Sequence, residues 1–328
     1  MKAVYIHTFG SIDNIEIREL PEPRSPFGSE VLVRVHAAGL NRADLLQVRG
    51  LYPPPTGYSP NIPGLEFAGE VAAAGDTVTK WSVGDRVFGI TAGEAQAEFL
   101  LTEENLIAAI PENLNYTEAA AVPEAFITAH DALFTLGGLK AGEALLIHAV
   151  GSGVGLAGLQ LAKACGATVI GTSRTAAKLE KCEKYGLDAA ISTGEEISFA
   201  DLVKEKTFEK GADVVLDLVG AAYFAQNLAS LAVKGRLVLV GLTSGAAAEF
   251  DLRIALQKRA TIIGTVLRGR PSAEKADAML KFTDEVLPLF ESGKIRPNLD
   301  RVFGMKDVID AYNYLDSNES FGKVVLEL

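Results

Sequence analysis

The sequence predicts an α/β protein of two domains, one β-rich and the other built on a doubly wound parallel sheet. With 328 residues, the chain is longer than one hydrophobic core usually accommodates. The N-terminal third contains short segments of alternating apolar residues, such as 31–36 and 86–89, with turn residues between them. From about Ala144 onwards, apolar runs alternate with helical segments, which is typical of a parallel sheet with crossover helices.

The second half contains six predicted strands, enough for a dinucleotide-binding fold. They are expected at 144–149, 168–172, 188–191, 213–217, 236–241 and 260–265. Helices are expected between them, near 154–165, 175–185, 198–206, 221–232 and 250–257. After this region a long amphipathic helix is predicted over 272–291, and a final strand over 322–326.

Composition narrows the possible partners and the compartment. The formal net charge of −11, with no basic run interleaved with aromatic residues, argues against a nucleic-acid partner. Cys165 and Cys182 are the only cysteines, which is too few for a disulfide framework and fits a reducing compartment. The N-terminal residues alternate like a strand and lack the apolar stretch of a signal peptide. We therefore expect a cytoplasmic protein without a membrane partner.

The strongest local signal is a buried strand that runs into a glycine-rich turn and then a helix. Glycines in such a turn let the backbone approach a pyrophosphate, whose charge is stabilised by the free N–H groups of the helix start. The match to the G-x-G-x-x-G pattern is imperfect, because Val150 and Ser152 occupy two of its glycine positions. The alternative is a structural glycine turn in another α/β protein. The residues predicted to hold the pyrophosphate are Gly151, Ser152, Gly153, Val154 and Gly155.

The end of the next strand predicts which nicotinamide cofactor is used. NAD-dependent enzymes place an Asp or Glu there to bind the ribose 2′-hydroxyl. This chain has no carboxylate between Val169 and Lys178, and instead offers Ser173, Arg174 and Lys178. A hydroxyl and two cations suit the 2′-phosphate of NADPH. The alternative is that both cations only solvate the start of a helix.

Five further segments carry a family likeness together with the glycine turn: GLNRADLL at 39–46, GLYPPP at 50–55, PGLE at 63–66, GDRV at 84–87 and GKVVL at 322–326. Through them the chain resembles, over essentially its whole length, the medium-chain dehydrogenase/reductase superfamily. Within that superfamily it resembles the zinc-independent quinone oxidoreductases, and most closely the branch that contains the p53-inducible quinone oxidoreductase. The resemblance implies a GroES-like substrate domain over 1–122, an NADPH-binding Rossmann domain over 123–264, and a C-terminal segment, 265–328, that returns to the substrate domain.

The resemblance also implies individual cofactor contacts. Asn41 faces the nicotinamide, and Thr128 packs against its ring. Thr193 lies near the 2′-phosphate, where related enzymes often have a Tyr, and Leu46 also departs from the family pattern, which often has an aromatic residue there. The remaining implied contacts follow the fifth and sixth strands or lie in the C-terminal motif: Gly241, Leu242, Thr265, Val266, Leu267, Gly322 and Lys323.

No metal site is expected. The positions that match the catalytic zinc ligands of related alcohol dehydrogenases are Asn41, Leu65 and Glu124, and a leucine cannot bind a metal. The four histidines are far apart in sequence, and no cysteine lies between Gly89 and Gln96, where a structural zinc lobe would be.

Without a Lewis acid, a suitable substrate must accept hydride readily, as quinones and conjugated enones do. The resemblance implies that Asn41 and Tyr52 face the nicotinamide and the substrate. They are the candidate catalytic residues, since either could donate a hydrogen bond to the developing oxyanion. Their alternatives are structural, with Tyr52 bracing the proline-rich loop and Asn41 capping local backbone.

Three functions remain open: an NADPH-dependent quinone reductase, an enoyl or alkenal reductase with the same hydride donor, and a non-catalytic NADPH-binding protein. The sixth strand is expected at the edge of the sheet, and a homodimer is expected to form there.

Overall fold

The computed structural model describes residues 1–194 and 198–328, and the chain divides into two compact units. The terminal unit contains Met1–Ile127 and Leu267–Leu328, and the central unit contains Thr128–Val266. Both ends of the chain thus belong to one unit, and the other unit is inserted between them.

The strands, in chain order, are β1 Lys2–Ile6, β2 Ile15–Glu19, β3 Glu30–Leu40, β4 Glu66–Ala74, β5 Arg86–Ile90, β6 Phe99–Glu103, β7 Ile107–Ala109, β8 Ala144–Ile147, β9 Thr168–Ser173, β10 Ala189–Ser192, β11 Ala212–Asp217, β12 Leu231–Leu239, β13 Thr261–Gly264, β14 Leu299–Gly304 and β15 Lys323–Glu327. The helices are α1 Arg42–Val48, α2 Tyr116–Ala119, α3 Pro123–His130, α4 Gly153–Cys165, α5 Ala176–Cys182, α6 Phe199–Lys206, α7 Ala221–Ser230, α8 Leu252–Lys258, α9 Ser272–Glu285, α10 Leu287–Glu291 and α11 Val308–Asp316.

The terminal unit is built on a seven-stranded sheet in the order β14-β15-β3-β4-β5-β7, with β6 also paired to β3. Alternate residues of β3, Val31, Val33 and Val35, are buried, because successive side chains of a strand point to opposite faces. The last strand, β15, lies between β14 and β3, parallel to the first and antiparallel to the second. The C-terminal residues are therefore integral to a sheet made mostly from the N-terminal part of the chain.

The central unit is a six-stranded parallel sheet in the order β10-β9-β8-β11-β12-β13. Its first strand in sequence lies in the middle and successive strands are added outwards on each side, which is the doubly wound order of dinucleotide-binding folds. Every residue of β8 and β11 is buried, as expected for central strands of a parallel sheet. The α/β fold class is confirmed, and β13 lies at the sheet edge as the sequence predicts.

Two predicted elements differ from the structure. The helix over 272–291 is divided into α9 and α10 at Val286, because Pro288 lacks an N–H and cannot continue a helix from the preceding turn. The fifth strand of the central sheet begins at Leu231, five residues before its predicted start. Lys234, at φ 65°, is followed by Gly235, so a local irregularity separates two parts of β12 that the sequence pattern does not join.

Candidate functional site

The glycine-rich turn connects β8 to α4 at the carboxyl end of the sheet's central strand. Ala149 has a left-handed φ of 49°, and Ser152 caps α4 by accepting a hydrogen bond from the Gly155 N–H at 3.1 Å. A Cβ atom on Gly155 would lie 2.6 Å from the Ala149 carbonyl oxygen, so only glycine fits there. The other N–H groups of the first turn have no partner within the helix. The turn thus offers backbone donors to an anion.

The next strand ends in a set of residues suited to a second anion. Ser173 is buried, its carbonyl accepts a hydrogen bond from the Thr193 N–H at 2.9 Å, and its hydroxyl accepts one from the Thr175 N–H at 3.1 Å. Arg174 is exposed, and its guanidinium has no partner among the described residues. Lys178 is half-buried on α5. A cation without a partner at this point is available to a phosphate.

Thr193 has a partner that the sequence does not reveal. The Tyr223 hydroxyl, on α7, donates a hydrogen bond to Thr193 Oγ1 at 2.7 Å. The Tyr223 ring packs against His148 and Phe199, with ring centroids 4.8 and 5.1 Å away. A phenol therefore lies beside the position where related enzymes often have one, although it comes from a different element.

The carboxyl ends of parallel strands lie at one edge of a sheet, so the central unit brings several predicted residues together. Gly241 follows β12, and a Cβ on it would lie 2.7 Å from the Leu218 carbonyl oxygen. The Thr265 N–H donates to the Leu239 carbonyl at 3.0 Å, which holds the segment after β13 against β12. Leu242 and Val266 are exposed at this edge, and Thr128 lies half-buried on α3.

His148 directly follows β8 and takes part in a buried chain of hydrogen bonds. Asn227 donates its Nδ2 proton to Asp217 at 2.9 Å, so its Oδ1 faces His148 Nε2 as an acceptor. His148 Nε2 must then carry the proton, and Nδ1 accepts from the Thr172 hydroxyl at 2.8 Å. Burial lowers the pKa of His148 to about 4, against the opposing hydrogen bond to Asn227. His148 is a neutral, fully bonded histidine that joins the ends of β8, β9 and β11.

The terminal unit holds a cluster of buried charges around Asn41, defined by Asn41, Glu66 and Lys323 and called the Asn41 cluster below. Lys323 Nζ donates to the Leu40 carbonyl at 2.8 Å, to Asn41 Oδ1 at 2.7 Å and to Glu66 Oε1. Asn41 Nδ2 donates to the same Glu66 oxygen at 2.8 Å. Glu66 is fully buried and Lys323 nearly so. Gly39 makes room for this pair, since a Cβ on it would lie 2.4 Å from Glu66 Oε1.

Asn41 is also the N-cap residue of α1 and is arranged with Asp44 as in a capping box, but the Asp44 N–H donates to the Asn41 backbone carbonyl at 3.0 Å and makes no hydrogen bond to the Asn41 side chain. Its backbone N–H donates to Asp44 Oδ2 at 2.8 Å, and Asp44 Oδ1 accepts from the Gly64 N–H at 3.0 Å. Burial raises the pKa of Asp44 to about 6, although these hydrogen bonds and the nearby cation Arg268 oppose the rise. The backbone around Asn41 is thus held by Asp44, and its side chain is left to Glu66 and Lys323.

Glu124 is the most perturbed acid beside the Asn41 cluster. Its backbone N–H donates to Glu66 Oε2 at 2.9 Å, but no hydrogen bond reaches its own carboxyl group from residues 1–194 or 198–328. Burial, together with the Glu66 carboxylate, raises the pKa of Glu124 to about 8. This carboxyl group is therefore protonated at neutral pH.

Tyr52 is held by Arg268, a buried residue that the sequence analysis missed. Arg268 donates from Nη1 to the Tyr52 carbonyl at 2.9 Å, from Nε to the Ala92 carbonyl at 2.8 Å, and from Nη2 to Gln47 Oε1. Its guanidinium lies 5.0 Å from the centre of the Tyr52 ring. Burial raises the pKa of Tyr52 against the opposing charge of Arg268, so the phenol stays protonated and able to donate.

Two further predicted positions, Gly322 and Leu65, are packed inside the terminal unit. Gly322 has φ 104°, and a Cβ on it would lie 2.1 Å from Asn298 Nδ2, so packing requires glycine there. Leu65 is buried in the terminal unit. Among the described residues, no three His, Cys, Asp or Glu side chains are grouped so as to hold a metal ion. In the same part of the chain, no helix is long and apolar enough to cross a membrane.

Comparisons with known proteins agree with this architecture. Residues 28–131 match the family model of the alcohol dehydrogenase GroES-like domain, and residues 153–285 match that of the zinc-binding dehydrogenase. A quinone oxidoreductase-like protein 2 homolog from Nematostella vectensis is 34% identical over 301 residues, which cover 91% of this chain and 81% of the relative. The chain belongs to the medium-chain dehydrogenase/reductase superfamily and is of the quinone oxidoreductase type.

Solved structures extend the likeness to the whole chain. The quinone oxidoreductase of Pseudomonas syringae has a TM-score of 0.89 at 31% identity, covering 100% of this chain and 99% of that one. A mycobacterial protein solved with NADPH, Rv1454c, has a TM-score of 0.89 at 29% identity, covering 100% of both chains. The CurK enoyl reductase has a TM-score of 0.86 at 27% identity, covering 99% and 98%. This protein is an NAD(P)-dependent oxidoreductase that acts on a small molecule.

Proposed function

We propose that this protein is a zinc-independent NADPH:quinone oxidoreductase. The observation that carries the proposal is Leu65, a buried apolar side chain at the position of a zinc ligand in related alcohol dehydrogenases. Glu66, the next residue, is bonded to the Asn41 amide and the Lys323 ammonium, which also bind each other. The proposed chemistry therefore uses no Lewis acid, and the acceptor is one that its own structure activates.

NADPH is the proposed cofactor because of the residues after β9. The glycine-rich turn fits a pyrophosphate. Arg174, whose guanidinium has no partner in residues 1–194 and 198–328, and the nearby Lys178 fit a 2′-phosphate that a carboxylate would repel. The similar mycobacterial structure with NADPH supports the same choice. When bound, NADPH supplies the hydride.

In this proposal Tyr52 donates the hydrogen bond to the oxygen that gains negative charge. Its phenol is protonated, and the Arg268 guanidinium holds both its ring and its carbonyl. A quinone that takes up a hydride becomes a hydroquinone anion, whose charge is spread over the ring, and one proton then completes the neutral hydroquinone. The donor therefore needs only to orient and stabilise the oxygen.

Tyr52→Phe tests this role, because it removes the hydroxyl and keeps the ring on Arg268. Loss of one oxyanion donor lowers kcat by about 100-fold or more when the donor is buried, and we expect a smaller loss for this half-buried phenol, with the Kd for NADPH unchanged. A variant with normal kcat would show that Tyr52 only braces the loop.

The decisive assay follows the loss of NADPH absorbance with matched panels of quinones, enones and alkenals, with and without a strong chelator. We expect turnover of quinones, no loss of activity with the chelator, and less than one zinc per purified chain. Faster turnover of enones would favour the second candidate, an enoyl reductase, to which the similarity to CurK points. Binding of NADPH without any turnover would show a non-catalytic protein.

We also propose a homodimer formed through the edge of the central sheet. In the part of the chain that the structure describes, β13 pairs with β12 and with no other strand, and its Ile262 is 40% exposed. Apolar side chains of α8, Leu252 and Leu256, are exposed nearby in sequence. An unpaired strand edge beside exposed apolar residues favours pairing with a second copy.

A further inference from the structure

The Asn41 cluster determines which hydrogen bonds Asn41 has left to give. Lysine ammonium only donates and carboxylate only accepts, so Lys323 must face the carbonyl oxygen of the amide and Glu66 its nitrogen. The amide therefore has one orientation. Its second Nδ2 proton is directed at the Gly39 carbonyl, with 3.5 Å between the heavy atoms.

What remains on the half-buried side chain is the second lone pair of Oδ1. Toward a ligand, Asn41 is then an acceptor and not a donor. Lys323 has no proton left either, because all three are donated within the terminal unit. This conflicts with a role for Asn41 as an oxyanion donor and with direct contact between the Lys323 ammonium and a cofactor phosphate.

We propose that Glu66 and Lys323 are positioning residues that present Asn41 to the cofactor as a hydrogen-bond acceptor. Asn41 then holds a donor on the nicotinamide half of NADPH, either a ribose hydroxyl or the carboxamide N–H. The inference rests on the proposed use of a nicotinamide cofactor, but not on the identity of the hydride acceptor. It leaves Tyr52 as the donor to the substrate oxygen.

The first experiment separates binding from turnover in Asn41→Ala. The Kd for NADPH is measured by the fluorescence of the reduced nicotinamide with no acceptor present, and kcat is measured at saturating NADPH. We expect Kd to rise about 2-fold to 12-fold, the equivalent of one neutral hydrogen bond, and kcat to change less. A kcat lowered by about 100-fold or more with unchanged Kd would identify Asn41 as an oxyanion donor and overturn the proposal.

The second experiment asks whether Glu66 and Lys323 act through Asn41. Glu66→Gln alone and Glu66→Gln/Lys323→Met together are made in wild type and in Asn41→Ala, and folding is checked by circular dichroism. In the wild-type background, we expect these substitutions to raise the Kd for NADPH about as much as Asn41→Ala does. In the Asn41→Ala background we expect no further rise in Kd, because the side chain that Glu66 and Lys323 orient is absent. Equal, additive rises in both backgrounds would show a general structural effect and overturn the positioning role.

Lys163→Met is the matched control. Lys163 also donates to a carboxylate, Asp188, at 2.7 and 2.9 Å and to a backbone carbonyl, that of Ala167, at 3.3 Å, but near the far end of α4. The Kd of the Lys163→Met variant for NADPH should equal that of wild type. Since these measurements use no acceptor, they remain informative if the protein fails to reduce quinones.

Discussion

In the terminal unit, Glu66 and Lys323 are buried and bonded to each other, whereas in the central unit Arg174 stands in solvent at the end of β9. Each Lys323 proton has an acceptor in its own unit, and the Arg174 guanidinium has none among the described residues. The first arrangement is a complete network that can orient a neighbour but cannot bind a new anion. The second arrangement leaves the donors of Arg174 without acceptors, and a phosphate site requires such donors.

The largest effect on stability is expected when one partner of the buried Glu66–Lys323 ion pair is removed and the other is kept. Lys323→Met leaves the Glu66 carboxylate buried without its cation and should lower the free energy of unfolding by about 3–5 kcal/mol. Glu66→Gln/Lys323→Met removes both charges and should cost less. Urea denaturation at pH 7 measures both values, and a single variant no less stable than the double one would mean that the two charges are not coupled.

The next largest effect is expected on cofactor use, from the cations after β9. Replacing Arg174 or Lys178 with Ala should weaken the use of NADPH, since a hydrogen bond to a charged group contributes about 1.5–3 kcal/mol, or roughly 10-fold to 150-fold. The exposure of Arg174 places its effect at the lower end. NADH lacks the 2′-phosphate, so its kcat/KM should barely change.

The kcat/KM values for both cofactors are compared at fixed ionic strength for wild type, the two single variants and the double variant. The double variant should use the two cofactors almost equally. An equal loss with NADH and NADPH would show that these cations do not bind the 2′-phosphate.

Glu124 lies beside the fully bonded Asn41 cluster, but its own carboxyl group receives no hydrogen bond from the described residues. Its carboxyl is protonated in the folded protein up to about pH 8 but ionises above about pH 4.5 when the chain unfolds. Folding therefore takes up a proton between these values, and the stability that this group contributes is lost as pH rises through them.

Glu124→Gln is uncharged at every pH and should remove part of this dependence, which for one proton is at most about 1.4 kcal/mol for each pH unit. Urea denaturation at pH 5, 6.5 and 8 measures the slope. Wild type and variant with parallel slopes would mean that Glu124 is ionised in the fold.

The smallest effect on the chain itself is expected at the open strand edge. Ile262→Asp places a charge on exposed β13 and should change the stability of the chain by no more than about 0.5 kcal/mol, as for other surface substitutions. It should nevertheless lower the sedimentation mass from that of a pair to that of one 34.7 kDa chain. A wild-type protein that already sediments as one chain at micromolar concentration would contradict the dimer.

Features that depend on local order were predictable from the sequence. The turn before α4 comes immediately after β8, and the cations come immediately after β9. Both strands are continuous apolar runs in the sequence, so the location of these residues at one edge of the sheet could be inferred. The Asn41 cluster could not be predicted, because it joins residues 41, 66 and 323, which come together only when β4 and β15 both pair with β3. Glu66 had one signal, a carboxylate at the start of an apolar run, whereas Arg268 follows β13 without any pattern of its own.

The hydrogen bonds from Thr172 through His148 and Asn227 to Asp217 run in a single direction. Turning over the Asn227 amide would set its carbonyl oxygen against the Asp217 carboxylate, so that two acceptors face each other, and would require His148 to change tautomer. All four residues are buried, where an unpaired polar group is costly. The hydrogen bonds therefore favour one arrangement of the strand ends beside the glycine-rich turn, and this part of the proposed cofactor site is ordered before a cofactor binds.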